Sequence, residues 1–133
     1  MKEYAFKLPM KVRDYEVDAE GIVNNANYLH YMEHTRHEFC ESAGLSFREM
    51  HLRGIDPVLS RVEIRYRRPL GLGESMVSCL NISRRGPLFV FEQGIYTPDG
   101  QLVVEGIVEV ACLENGRLSR GTVLAEAFAD YLR

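Results

Sequence analysis

The chain has 133 residues, of which 46% are hydrophobic, 26% charged and 10% aromatic. That composition excludes a disordered or collagenous chain and supplies one hydrophobic core rather than two. The 16 Lys and Arg against 19 Asp and Glu leave a formal charge of -3, so no global positive field recruits nucleic acid or an anionic membrane and any anion site must be local. No run approaches the roughly 18 apolar residues of a membrane span, and the N-terminal segment lacks an apolar export stretch. Cys40, Cys79 and Cys112 are an odd number without C-x-x-C spacing, which argues against a disulfide framework and for a reducing compartment. A single domain over residues 1–133, cytoplasmic by default, is expected.

No internal repeat or linker divides the chain, so periodicity has to supply its organisation. Leu8, Met10 and Val12, followed by Asp14, Glu16 and Asp18, occupy the even positions of one run, which predicts a strand whose apolar face ends in carboxylates. Asn24 and Asn25 then offer N-cap side chains, and residues 26–43 follow without Gly or Pro until Gly44. This predicts one long helix. At about 100° per residue, Tyr28, Met32, Thr35, Phe39 and Ala43 form its buried stripe, and His30, His34, His37 and Glu41 lie opposite.

After an irregular stretch with a short helical turn, a period-two pattern runs from Pro57 to Pro69. Three further strands, 76–83, 88–97 and 102–113, are separated by the turn residues Arg85-Gly86-Pro87 and Pro98-Asp99-Gly100, so they are antiparallel neighbours. Residues 123–132 close the chain as a short helix. A strand, a long helix and four antiparallel strands make an α+β domain with the helix laid across one sheet face. The opposite face calls for a second copy of the chain, so at least a homodimer is expected.

The chain carries no G-x-S-x-G elbow, P-loop or G-x-G-x-x-G fingerprint, which disfavours serine hydrolases, P-loop NTPases and dinucleotide enzymes. The histidine stripe opposes the buried one, so it reads as a solvated face rather than a metal site. Glu33 reads as a surface or helix-pairing residue beside Arg36 or His37. No metal and no cofactor is expected.

The junction at residues 18–25 remains. A carboxylate, Asp18, precedes a Gly-containing turn and the start of the helix. Helix N-termini expose unpaired N–H groups suited to a carbonyl oxygen that becomes an oxyanion. One carboxylate is a poor device for ester or amide cleavage, whose leaving group wants a proton. A thioester releases a thiol that ionises near pH 8.5, so one Asp acting as base or nucleophile suffices. From spacing alone, Asp18 fits an ordinary capping or turn aspartate equally well.

The run from Asp18 to Leu29, Asp-Ala-Glu-Gly-Ile-Val-Asn-Asn-Ala-Asn-Tyr-Leu, with Glu33 and Arg36 on the helix, resembles the signature of hotdog-fold acyl-CoA thioesterases of the 4-hydroxybenzoyl-CoA thioesterase family. Residues 62–74, which include Tyr66, Arg67, Arg68, Pro69 and Gly73-Glu74, resemble that family's strand and following turn, so the likeness spans nearly the whole chain. The resemblance implies a five- or six-stranded antiparallel sheet wrapped around the long helix, a homodimer with a continuous sheet, and active sites at the subunit interface.

The resemblance also implies residue roles and a substrate. Asp18 stands where the family has its catalytic carboxylate, and Asn25 where a backbone amide polarises the thioester carbonyl. Asn24 and Tyr28 belong to the expected substrate site, although Tyr28 reads first as a residue packed against the sheet. Arg84 and Arg85 read by default as an exposed turn, and the phosphates of coenzyme A make them candidates for gripping that group. Many relatives carry a His at the position of Ile22 or Asn25, and this chain has neither. Its Val-Asn-Asn form occurs also in plant acyl-carrier-protein thioesterases, which admits an acyl-carrier protein as partner beside acyl-CoA. Two functions therefore stand: an acyl-CoA thioesterase, or a non-catalytic hotdog module that binds acyl-CoA or acyl-carrier protein. A related hydratase is weaker, because those enzymes use a His in the catalytic pair. Acyl preference, and dimer against homotetramer, are not legible in the sequence.

Overall fold

The computed structural model describes residues 2–133. Strand β1 (Phe6–Lys11) alternates as expected, with Phe6, Leu8 and Met10 turned toward the core. The expected continuation to Asp18 does not form. The Val12 amide bonds to the Glu74 carbonyl at 2.9 Å, and Asp14–Glu16 then wind into a 3-10 turn. Chemical alternation past Val12 was thus not strand alternation: Glu16 is buried, whereas Asp14 and Asp18 are exposed.

Helix α1 (Asn25–Ser42) begins where the capping residues predict, with the Asn24 side chain accepting from the Ala26 amide. It buries Tyr28, Met32, Thr35 and Phe39 as expected, and Tyr31 and Cys40 besides. Burying an apolar side chain of the size of Met32 or Phe39 contributes about 1.5–3 kcal/mol. Thr35 fastens the helix to the sheet: its Oγ1 donates to the Tyr31 carbonyl at 2.7 Å and lies 2.6 Å from Ser78 Oγ. Close approach to the sheet depends on Gly106, where an added Cβ would stand 2.6 Å from Met32 Cε and 3.0 Å from the Glu63 carbonyl oxygen.

The remaining elements are α2 (Phe47–Leu52), β2 (Ile55–Tyr66), β3 (Ser75–Arg85), β4 (Leu88–Tyr96), β5 (Leu102–Glu114), β6 (Arg117–Leu118) and α3 (Thr122–Ala127). The six-stranded antiparallel sheet runs β1-β3-β4-β5-β2, with β6 paired to β5. It curls around α1, which is the expected hotdog architecture. The terminal helix is shorter than expected, and Phe128 just after it packs on Phe39 with ring centroids 5.1 Å apart. Strand β2 forms one edge, with Leu59 57% and Tyr66 46% exposed.

Candidate active site

Two short elements build the junction before α1. Val17 and Val23 pair as an isolated antiparallel bridge, and the Asp18 amide donates to the Ile22 carbonyl at 2.9 Å. The chain reverses over Asp18–Gly21, where the Gly21 amide donates to the Asp18 carbonyl at 3.0 Å and Gly21 adopts φ 79°. That left-handed conformation suits glycine. The Asp18 carboxylate accepts the Glu20 amide on Oδ1 at 2.8 Å, an Asx turn in which Oδ2 meets no partner among the described residues. Asp18 is exposed in the single chain, folded back beside Ile22, three residues before Asn25.

At the helix start, Asn24 satisfies two orphan donors: its side chain takes the Ala26 amide at 2.9 Å and its carbonyl takes the Asn27 amide at 2.9 Å. The Asn25 amide, at the first helical position, meets no acceptor among the described residues. A cleft of about 310 Å³ opens at this point, lined by Ile22, Val23, Asn25, Tyr28, Tyr66, Arg67, Arg68 and Pro69. An unpaired N–H at the positive end of an 18-residue helix, on a residue that lines a cleft, can stabilise developing negative charge on an oxygen.

The cleft walls are held by hydroxyls. Tyr66 donates to the Asn25 carbonyl at 3.2 Å, and Tyr28 accepts the Leu70 amide at 3.0 Å. Burial raises the Tyr28 phenol above its ordinary value. Tyr28 is 2% exposed, so it contributes wall more than a free polar group.

Arg84 and Arg85 lie at the opposite end of β3 from Ser75, about 30 Å away at strand rise, and the structure does not bring them to this cleft within one chain. Arg84 donates to the Arg120 carbonyl at 2.7 Å and stacks over the Phe89 ring at 4.1 Å. Arg85 pairs with the buried Glu109 carboxylate at 2.6 Å. The cations at the cleft mouth are instead Arg67, paired with Glu105 at 2.6 Å, and Arg68, bonded to Gln101 at 2.6 Å. In the sequence they belong to an alternating strand and read as solvated. Their signal was position: they directly precede Pro69, where β2 has already ended.

A second cavity, of about 120 Å³, lies farther along α1 and is lined by Phe47, Phe89, Phe91, Leu124 and Phe128 with Glu33, Arg36 and Cys40. Arg36 donates to the Gln93 Oε1 at 2.9 Å. The helix histidines are spread among local partners: His30 lies 3.2 Å from Asn27 Oδ1, His34 3.7 Å from Glu38, and His37 against the Phe47 ring. Among the described residues no group of three or more His, Cys, Asp or Glu is placed to hold a metal ion, and no helix is long and apolar enough to cross a membrane.

The curled sheet and the long helix are shared with known proteins. A family model described as the thioesterase-like superfamily matches residues 12–132. The chain is 40% identical over 77 residues to the chloroplastic acyl-acyl carrier protein thioesterase ATL3 of Arabidopsis thaliana, a match covering 58% of this chain and 40% of that protein. It is 31% identical over 107 residues to the long-chain acyl-CoA thioesterase FadM of Escherichia coli, covering 79% and 80%. The crystal structure of a hypothetical protein from Aquifex aeolicus superposes with a TM-score of 0.85 at 28% identity, covering 92% of this chain and 98% of that one. The chain spans between 40% and 59% of the length of the two chloroplastic relatives it matches. By its sequence and by its fold, the chain belongs to the thioesterase-like superfamily.

Proposed function

We propose that the chain hydrolyses an acyl thioester of coenzyme A to the free acid and the thiol. Asp18 acts on water as a general base: the water oxygen bonds to the thioester carbon while its proton passes to the carboxylate. The Asn25 amide donates to the oxyanion of the tetrahedral intermediate, and collapse breaks the C–S bond. The thiolate leaves with its electron pair and is protonated from Asp18 or solvent. Direct attack by Asp18, through a mixed anhydride that water then opens, uses the same two groups.

What carries the reading is the unpaired Asn25 amide at the cleft, three residues beyond the backbone partner of Asp18. The names of the relatives, an acyl-CoA thioesterase and an acyl-acyl carrier protein thioesterase, support thioester chemistry. Coenzyme A is the substrate we favour, because Arg67 and Arg68 border the same cleft and guanidinium groups suit phosphates. The phenylalanine-lined cavity along α1 receives the acyl group.

A homodimer belongs to the same proposal. Twelve residues of β2 form an open edge with Leu59 and Tyr66 exposed, and a long bare edge favours pairing with another strand. A second β2 would extend the sheet beside the cleft that Tyr66 lines. Size in solution tests this part: a monomer at micromolar concentration refutes it.

Asp18→Asn tests the chemistry. The amide oxygen can still accept from Glu20, so the turn and the melting temperature are kept. Thiol release from acyl-CoA should fall at least about 100-fold in kcat. Full activity would overturn the assignment, and acyl-CoA binding by the native protein without any thiol release would favour a non-catalytic binding module.

A further inference from the structure

Glu16 and Glu109 are the buried acidic residues among the described part of the chain. Glu109 sits on the sheet between Arg61 and Arg85. Glu16 stands at the root of the hairpin that bears Asp18, and its bonds run to the chain before the hairpin and to the start of α1 after it. Oε1 accepts the Arg13 amide at 2.7 Å and the Tyr31 hydroxyl at 2.9 Å, and Oε2 lies 3.2 Å from Arg13 Nη2. Its backbone carbonyl accepts the Asn24 amide at 3.1 Å and the Asn27 side-chain amide at 2.8 Å.

We infer that Glu16 is a positioning residue that sets where the Asp18 carboxylate stands relative to the Asn25 amide; the inference rests on the function proposed above. One end of the residue is locked to Tyr31, two turns into α1, and the other to Asn24, the residue directly before the oxyanion donor. Asp18 follows two residues later, on a hairpin whose far strand is tied to the loop between β2 and β3, where the Val23 amide donates to the Leu70 carbonyl at 2.9 Å and Ile22 bridges Gly71, while its near strand is rooted at Glu16. Fixing Glu16 therefore fixes the hairpin root to the helix that supplies the amide. A buried carboxylate is a costly way to obtain stability alone, since an apolar residue of similar shape commonly does as well. Its benefit is geometric definition, and a displacement of about 1 Å between reacting groups costs about 100-fold in rate. Burial and the adjoining Glu16 carboxylate hold the Tyr31 phenol above its ordinary range, so the hydroxyl keeps its proton and the bond persists.

The test is a double-mutant cycle read by thiol release. Glu16→Gln keeps the shape, retains one acceptor oxygen and removes the charge. It should lower kcat about 10- to 100-fold with KM within about threefold. In the Asp18→Asn background the same substitution should cost less than about threefold, because the group it positions is already inert. An unchanged kcat, or the same loss in both backgrounds, would overturn the inference and leave Glu16 a purely structural residue. Should Glu16→Gln fail to fold, Tyr31→Phe carries the cycle by deleting one hydroxyl: it should lower kcat in the native background only, and no loss overturns the inference. Failure of the underlying function looks different, since Asp18→Asn alone would then retain full thiol release.

Discussion

The Tyr28 hydroxyl accepts the Leu70 amide at 3.0 Å, which fastens the first turn of α1 to the loop between β2 and β3. Both residues are buried, at 2% and 0% exposure, so the bond has no water to replace it. Tyr28→Phe should destabilise the fold by about 1–3 kcal/mol, the cost of a buried donor left unpaired. KM for acyl-CoA should move less than about threefold, because the hydroxyl is already engaged by the protein. Urea unfolding and steady-state kinetics on one preparation check both; a stable variant with a tenfold higher KM would make Tyr28 a direct substrate ligand instead.

The proposed oxyanion donor can be removed without touching a side-chain role. Asn25 is the first residue of α1, a position proline tolerates, and Asn24 before it is extended at φ -61° and ψ 138°, as a residue before proline must be. Asn25→Pro should keep the helix and the melting temperature while lowering kcat about 100- to 1,000-fold. Asn25→Ala, which keeps the amide, should retain most activity. Equal activity of the two variants would refute the backbone donor.

Arg85 holds a buried charge. Glu109 is 3% exposed, with Arg85 at 2.6 Å and Arg61 at 3.6 Å. Arg85→Ala should cost about 1–2 kcal/mol, less than the full penalty of a stranded buried carboxylate because Arg61 remains and Arg85 is itself largely solvated. Chemical denaturation measures it. A rise in KM for acyl-CoA with unchanged stability would return Arg85 to phosphate binding.

Alkaline stability should depend on thiols. Burial pushes the Cys40 thiol up to about 12 and the Cys79 thiol up to about 11, from an ordinary 9.0. The unfolded chain therefore releases these protons first as pH rises. Stability from each thiol is intact below about pH 9 and declines through the folded values, at about 1.4 kcal/mol per pH unit per group. Cys40→Ala should show a shallower fall of the urea midpoint between pH 9 and 11 than the native chain. Parallel curves would contradict a buried, protonated Cys40.

Much of this arrangement is legible in the sequence because its cause is local. The spacing of Tyr28, Met32, Thr35 and Phe39, with Asn24 before them, specifies α1 by periodicity and capping alone. Pro98-Asp99-Gly100 marks its hairpin for the same reason. What was not legible depends on distant partners. Glu16 shares a period-two pattern with Asp14 and Asp18, and only Tyr31 and Arg13 distinguish it as buried. Arg85 gives no sign of Glu109, 24 positions away, and Arg84 none of the Arg120 carbonyl. Strand β6, with two residues, is too short to carry any period.

The donor offered by Asn25 belongs to the main chain, and this shapes how the protein can change over generations. Every amino acid except proline supplies the same N–H at that point, and no single base change turns an asparagine codon into a proline codon. The side chain there is accordingly free to drift toward whatever substrate the cleft meets, while the group that would bear the reaction's charge is inherited unchanged.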